Sequence, residues 1–253
     1  MESVGLIMFA NIYKNKKVLV TGHTGFKGTW LTMWLLKLGA NIVGISKDIP
    51  TSPSMFEELK LKDKIEHYQE DIRDLSKMTE IMAYEKPDFL FHLAAQAIVS
   101  TSYTNPMETI TSNVVGTANI LEALRGSNHK CTAIIITSDK SYDNVEQVWG
   151  YKEDDKMGGK DIYSGSKGAA ELIIKSYYHS FFKSNKSNIR LAISRAGNVI
   201  GGGDWAKDRI VVDCVEAWSR GQSVEIRSPE ATRPWQHVLE PLSGYLNLGT
   251  ELY

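Results

Sequence analysis

The sequence predicts an α/β fold, a doubly wound parallel sheet carrying a smaller C-terminal lobe. Three observations predict it. From Lys17 to about Ile200, short β-rich runs alternate with runs of helical period. The run Ala133–Thr137 is continuously apolar, as a strand covered on both faces must be. A glycine-rich loop joins the first strand to the first helix. Repeated βα units of this length call for a parallel sheet, helices on both sides and right-handed crossovers.

In chain order, Val18-Leu19-Val20 is the first strand. Thr29 to Leu38 carries Trp30, Leu31, Trp34, Leu35 and Leu38, a broad helical stripe closed by Gly39. Ile42–Ile45 and Ile65–Ile72 are the next strands, and Leu75–Glu85 is a helix. Phe89–Leu93 is the fourth strand, Met107–Leu124 a helix and Ala133–Thr137 the fifth strand. Ser164 to about Phe182 is a helix, and Ile189–Ser194 the sixth strand. Beyond Ile200 the texture changes. Gly201-Gly202-Gly203 reads as a flexible hinge, Ile210–Arg220 as a helix ended by Gly221, and Ser223–Arg227 as a short strand. From Leu239 onward the pattern is helical, with Pro241 in the first turn. The organisation is therefore an N-terminal extension over 1–16, a dinucleotide-type domain over 17–200 and a second region over 201–253.

Composition narrows the function classes. Of 253 residues, 42% are apolar and 23% charged, enough to fold a sizeable core without staples. The net charge of −1 offers no field for nucleic acid or an anionic membrane. The two cysteines, Cys131 and Cys214, form no CxxC, which argues against a disulfide scaffold or metal site and suits a reducing, cytoplasmic compartment. The apolar stretch Val4–Ile12 lacks a basic flank and a cleavage site, so it reads as an extension, with Met8 a candidate start, and not as a signal peptide.

The loop Thr21-Gly22-His23-Thr24-Gly25-Phe26-Lys27-Gly28 spaces its glycines as GxxGxxG. One glycine lets the chain turn, another lets backbone approach a pyrophosphate, and a third lets helix pack on strand. The helix N-terminus then offers free N–H groups to phosphate. This makes the sheet Rossmann-type. Gly22, Thr24, Gly25, Phe26 and Gly28 are its pyrophosphate candidates. Asp48, twenty residues past Gly28, is placed for a ribose 2′-hydroxyl and favours NAD, whereas Lys47 could attract a 2′-phosphate. Asp71 and Ile72 are placed to border an adenine.

Tyr163 and Lys167 form a YxxxK, which sets both side chains on one helical face. The ammonium should favour a phenolate, so the tyrosine can act as a base. Ser138-Asp139-Lys140 follows the fifth strand, at the sheet edge where ligands bind. A ketoreductase needs a hydroxyl and the tyrosine only. The extra acid and base point to an elimination, the lesser alternative being that Asp139–Lys140 is a strand-end ion pair.

Thr21–Gly28, Leu93-Ala94-Ala95, Asn113 in Asn113-Val114-Val115-Gly116-Thr117, and Tyr163/Lys167 together resemble the extended short-chain dehydrogenase/reductase superfamily. Within it, Gly22–Gly28, Thr137-Ser138-Asp139-Lys140, Arg195–Trp205 and Arg233–Tyr245 are similar to the CDP-glucose 4,6-dehydratases. The resemblance runs from about Phe9 to the end. It implies NAD, with Leu93, Ala94, Ala95, Thr137, Tyr163 and Lys167 beside the cofactor. It also implies catalysis by Ser138, Asp139, Lys140, Tyr163 and Lys167. Tyr163 would take the 4-hydroxyl proton, Lys140 or a base it positions the C5 proton, and Asp139 would protonate the departing 6-hydroxyl. A neutral Lys140 would need a desolvated site. Gln96, Ser138, Asn198, Arg209 and Arg233 are the implied contacts to CDP-glucose, the arginines as diphosphate forks or as surface charges. Such enzymes run further, so the resemblance implies an incomplete C-terminal substrate lobe. Two other readings share the fold: a nucleotide-sugar 4-epimerase and a catalytically silent NAD-binding fragment. Helices Met107–Leu124 and Ser164–Phe182 resemble those that pair in superfamily homodimers, but their apolar residues suit covering the sheet equally well.

Overall fold

The computed structural model describes residues 8–253; the Met1–Ile7 part of the expected extension lies outside the described residues. Strands β1 (Lys17–Thr21), β2 (Asn41–Ile45), β3 (Glu66–Tyr68), β4 (Phe89–His92), β5 (Cys131–Ile136) and β6 (Ile189–Ser194) form one sheet in the order β3-β2-β1-β4-β5-β6. Every pairing in it is parallel, with Thr21 opposite both Ile45 and His92. This is the expected doubly wound α/β sheet.

Alternation along each strand assigns the two faces. Leu19, Leu90, Ala133 and Ile135 point to one core with helices α3 (Leu75–Glu85), α6 (Thr117–Arg125) and α7 (Ile162–Tyr177). Val18, Val20, Phe89, Phe91 and Ile134 point to the other, against α1 (Phe26–Lys37) and α9 (Leu239–Leu252). Tyr13 belongs to this second core. Its ring is 1% exposed and its hydroxyl donates to the carbonyl of Leu246 at 2.6 Å, so residues just before β1 are packed against α9.

Several local expectations are corrected. The first helix starts at Phe26, three residues early, because the glycine turn itself opens it. The third strand is only three residues long, since Asp71 folds back to accept from the Arg73 N–H at 2.9 Å. The expected helix Met107–Leu124 contains a π turn: α5 (Pro106–Ile110) passes through Thr111–Gly116 into α6. Ser223–Arg227 forms no strand, and Ile226 stays exposed. Instead β7 (Asn198–Ile200) pairs in parallel with β8 (Trp235–His237). The Gly201–Gly203 segment is held, with Trp30 Nε1 donating to the Gly202 carbonyl at 2.9 Å and Met55 packed against Gly203. Short helices α2 (Met55–Glu58) and α4 (Val99–Thr104) lie in stretches that show no helical period, and α8 (Ile210–Ser219) matches expectation.

Candidate active site

The site lies where the strand order reverses. β1 and β4 are neighbours, but α1 and α6 cover opposite faces, which opens a crevice beyond Thr21 and His92. Gly22 turns the chain at φ +74°, and a side chain there would reach 2.8 Å from the Ala94 backbone nitrogen. A Cβ on Gly28 would overlap the Gly22 carbonyl oxygen. Gly25 starts α1 with no side-chain cap, so the first-turn N–H groups of this 12-residue helix keep their donor capacity for an anion. Thr24 is buried, and its hydroxyl donates to the Asp48 carbonyl at 2.8 Å, tying the loop to the chain after β2. The donors and cleared space at this turn fit a dinucleotide pyrophosphate.

Around that turn the predicted residues divide. Asp48 is exposed, 3.9 Å from Lys47 Nζ. Asp71 is engaged by the Arg73 guanidinium, which holds its carboxyl below the usual carboxylate range. Ile72 is buried and packs over Gly116. Leu93, Ala94 and Ala95 follow β4, and the Ala94 N–H donates to Thr21 Oγ1 at 3.2 Å. Gln96 holds its own loop: Nε2 donates to the Ile98 carbonyl at 2.9 Å and Oε1 accepts from Thr109 at 3.2 Å. Asn113, in the π turn, accepts from the Gln96 N–H at 2.8 Å and donates to Ser166 at 2.8 Å. It therefore joins the loop after β4 to α7.

The reactive cluster stands on β5 and α7. Ser138 caps a single turn, Asp139–Ser141; its hydroxyl donates to Asp139 Oδ1 at 2.9 Å and accepts from the Lys140 N–H at 3.2 Å. Tyr163 and Lys167 are each 7% exposed, with the ammonium 5.8 Å from the phenol ring centre. The Ser138 hydroxyl and the charges of Asp139 and Arg209 act on the Tyr163 phenol. In place of the expected phenolate the pocket holds a neutral phenol. Burial pushes Tyr163 up to about 12, against the lowering effects of Ser138 and Arg209. Burial, then repulsion from Lys27, brings Lys167 down to about 8.

Two participants, Lys27 and Glu171, escape sequence reasoning. Lys27, in the first turn of α1, donates to the Tyr245 hydroxyl at 3.5 Å. Burial and then Arg209 bring it down to about 8, with Asp139 opposing. Its signal in the sequence is a lysine set among the glycines of the loop. Glu171 is fully buried and collects Thr137 Oγ1 at 2.6 Å, Ser141 Oγ at 3.0 Å and the Arg195 guanidinium at 2.5 and 2.7 Å. This uses the Thr137 hydroxyl and anchors the Asp139–Ser141 turn. The signal was present, since Tyr163, Lys167 and Glu171 repeat every four residues on one helical face. Asn113 was legible only as part of a motif.

On the second region, Arg209 pairs with Asp204 at 3.4 Å and reaches the crevice electrostatically. Asn198 lies on β7, where its N–H donates to the Pro234 carbonyl at 3.1 Å. Arg233 is exposed, its guanidinium on the neighbouring Thr232 carbonyl, and is not gathered into the cluster. No helix of the described residues is long and apolar enough to cross a membrane.

Known proteins resemble this chain in sequence and in fold. CDP-glucose 4,6-dehydratase of Salmonella typhimurium is 49% identical over 246 residues, covering 96% of this chain and 68% of that enzyme. dTDP-D-glucose 4,6-dehydratase of Dictyostelium discoideum is 29% identical over 74% of this chain and 44% of its own. Among solved structures, dTDP-glucose 4,6-dehydratase from Streptomyces venezuelae with NAD bound superposes at TM-score 0.78, with 20% identity over 91% of this chain and 70% of that one. UDP-glucuronic acid 4-epimerase from Bacillus cereus, with its sugar nucleotide and NAD, gives 0.77, with 24% identity over 89% and 70%. The family model for GDP-mannose 4,6 dehydratase matches residues 19–247, so the chain belongs to that family, within the extended short-chain dehydrogenase/reductases.

Proposed function

We propose that this protein dehydrates CDP-glucose to CDP-4-keto-6-deoxyglucose, as a lyase that ends with its NAD unchanged. The observation that carries the reading is the Tyr163 phenol within reach of Ser138 and Asp139, with Lys140 next in the same turn, in a chain half identical to a CDP-glucose 4,6-dehydratase. An epimerase needs the tyrosine and serine, and Asp139 and Lys140 would be surplus to it.

The turn from Gly22 to Gly28 would hold the pyrophosphate of NAD, Asp48 its ribose, and Tyr163 and Lys167 its nicotinamide end. Bound there, NAD supplies what the side chains lack, a holder for the hydride between C4 and C6. The side chains manage protons. Ser138 fixes the 4-hydroxyl, and Tyr163 receives its proton as the phenolate, the form the phenol takes after releasing its own proton to solvent under the positive potential of Lys167 and Arg209. Oxidation at C4 acidifies the C5 hydrogen, which Lys140, or a base it positions, removes. Asp139, oriented by Ser138, protonates the 6-hydroxyl as water leaves. Arg209 and Asn198 face the diphosphate side, and residues 201–253 supply part of the sugar-nucleotide lobe. A cytoplasmic setting fits the free thiols. Pairing of two copies would use the exposed Met107, Val115 and Leu172.

Replacing Lys140 separates the two stages. With Lys140→Met, CDP-glucose should still reduce the bound cofactor, seen as nicotinamide absorbance, while no water is lost. Undiminished elimination in that variant would remove the role given to Lys140.

A further inference from the structure

Lys47 follows β2 and Arg73 follows β3, so both cations stand beyond the carboxyl ends of strands beside the glycine loop. Thr24 ties this edge directly to the loop through the Asp48 carbonyl. On sequence alone, Lys47 is available to a 2′-phosphate. The structure withdraws it. Glu108, in the first turn of α5, accepts from Lys47 Nζ at 2.6 Å through Oε1 and from Arg73 Nη1 at 2.6 Å through Oε2. Asp71 takes the other edge of the Arg73 guanidinium at 2.5 Å, and Asp48 lies 3.9 Å from Lys47. Three carboxylates against two cations leave this edge net negative.

Glu108 is well placed for the task. Its side chain is 20% exposed, less than either cation it holds. Its N–H donates to Asn105 Oδ1 at 3.3 Å, the cap that starts α5, so its backbone does not depend on the carboxylate. Hydrogen bonding from Lys47 first, with Arg73 adding its charge, keeps its carboxyl below the ordinary range.

We propose that Glu108 sets the dinucleotide choice, holding Lys47 and Arg73 away from a ribose 2′-phosphate and so selecting NAD over NADP. The proposal rests on the cofactor reading above. A 2′-phosphate needs charge-assisted donors, and both donors here are already taken. The test is equilibrium binding by calorimetry, with no turnover required. NAD, NADP, 5′-AMP and adenosine 2′,5′-bisphosphate are titrated into the wild-type protein and into Glu108→Gln, with Glu108→Ser in parallel as a smaller neutral replacement. Each neutral variant should bind NADP and the bisphosphate about tenfold tighter than wild type. NAD and 5′-AMP should change by no more than about twofold, and the gain should shrink as salt rises. Adding Lys47→Gln should abolish the gain, whereas Glu108→Asp should keep the wild-type preference. An unchanged NADP-to-NAD ratio in variants that still bind NAD overturns the proposal. A wild-type protein that binds neither dinucleotide overturns the cofactor reading beneath it.

Discussion

Two buried histidines make stability depend on pH. His92 is 2% exposed, with Nδ1 2.7 Å from Thr21 Oγ1 and Nε2 3.1 Å from Thr117 Oγ1. Burial first, and then Lys167, brings it down to about 3. His23 is fully buried in the glycine loop, 2.8 Å from His67 Nδ1, and burial followed by His67 brings it down to about 4. Both are neutral when folded but protonate near 6.5 when unfolded. The unfolded chain therefore binds more protons, so stability is full above 6.5 and falls as pH drops from 6.5 towards 4 and 3. By pH 5 the two together should cost about 4 kcal/mol. Asp71, Glu108 and Glu171 are held below the ordinary carboxylate range by the arginines and the lysine that donate to them. Denaturant unfolding at pH 7 and pH 5 measures the difference, and His92→Asn should remove about half of it. Equal stability at the two pH values would contradict the neutral histidines.

At the scale of elements, the Asp139–Ser141 turn has its shape because α7 grips it from below. Glu171 receives Thr137, Ser141 and Arg195 together, and Arg195 stacks 4.4 Å over the Tyr142 ring. Glu171→Gln would leave the Arg195 guanidinium, with a side chain only 13% exposed, without its counter-charge. The loss should be about 3–5 kcal/mol, read as a lower denaturant midpoint. A midpoint equal to wild type would show that the pair does not anchor the turn. The π turn at Thr111–Gly116 has a similar office, because it lets Asn113 serve the loop after β4 and α7 together. Periodicity along Met107–Leu124 gives a helix there but not the extra residue in its turn, which packing alone imposes.

Over the whole molecule, the legible parts are those written by repetition. Six strands, their faces and the switch point follow from alternating apolar runs and one glycine loop, since a parallel sheet buries both faces of every strand. Tyr13 was not legible, because an isolated aromatic before the first strand shows no period; its contact with Leu246 forms only once α9 returns to the sheet. Neither was β8, because Trp235–His237 is a strand only in the presence of β7. In the site, Tyr163, Lys167 and Ser138-Asp139-Lys140 were visible as motifs. Lys27 and Glu108 were not, because each acts on partners far away in sequence. The neutral Tyr163 also lay beyond the sequence, since it depends on burial and not on spacing.

The measurement that bears most directly on the proposed reaction follows one hydrogen. The purified protein, supplied with NAD, is given CDP-glucose deuterated at C4, and the product is read by mass spectrometry and NMR. The account predicts a 4-keto-6-deoxy sugar that has lost one water and carries the deuterium at C6. CDP-galactose with no water lost would contradict it.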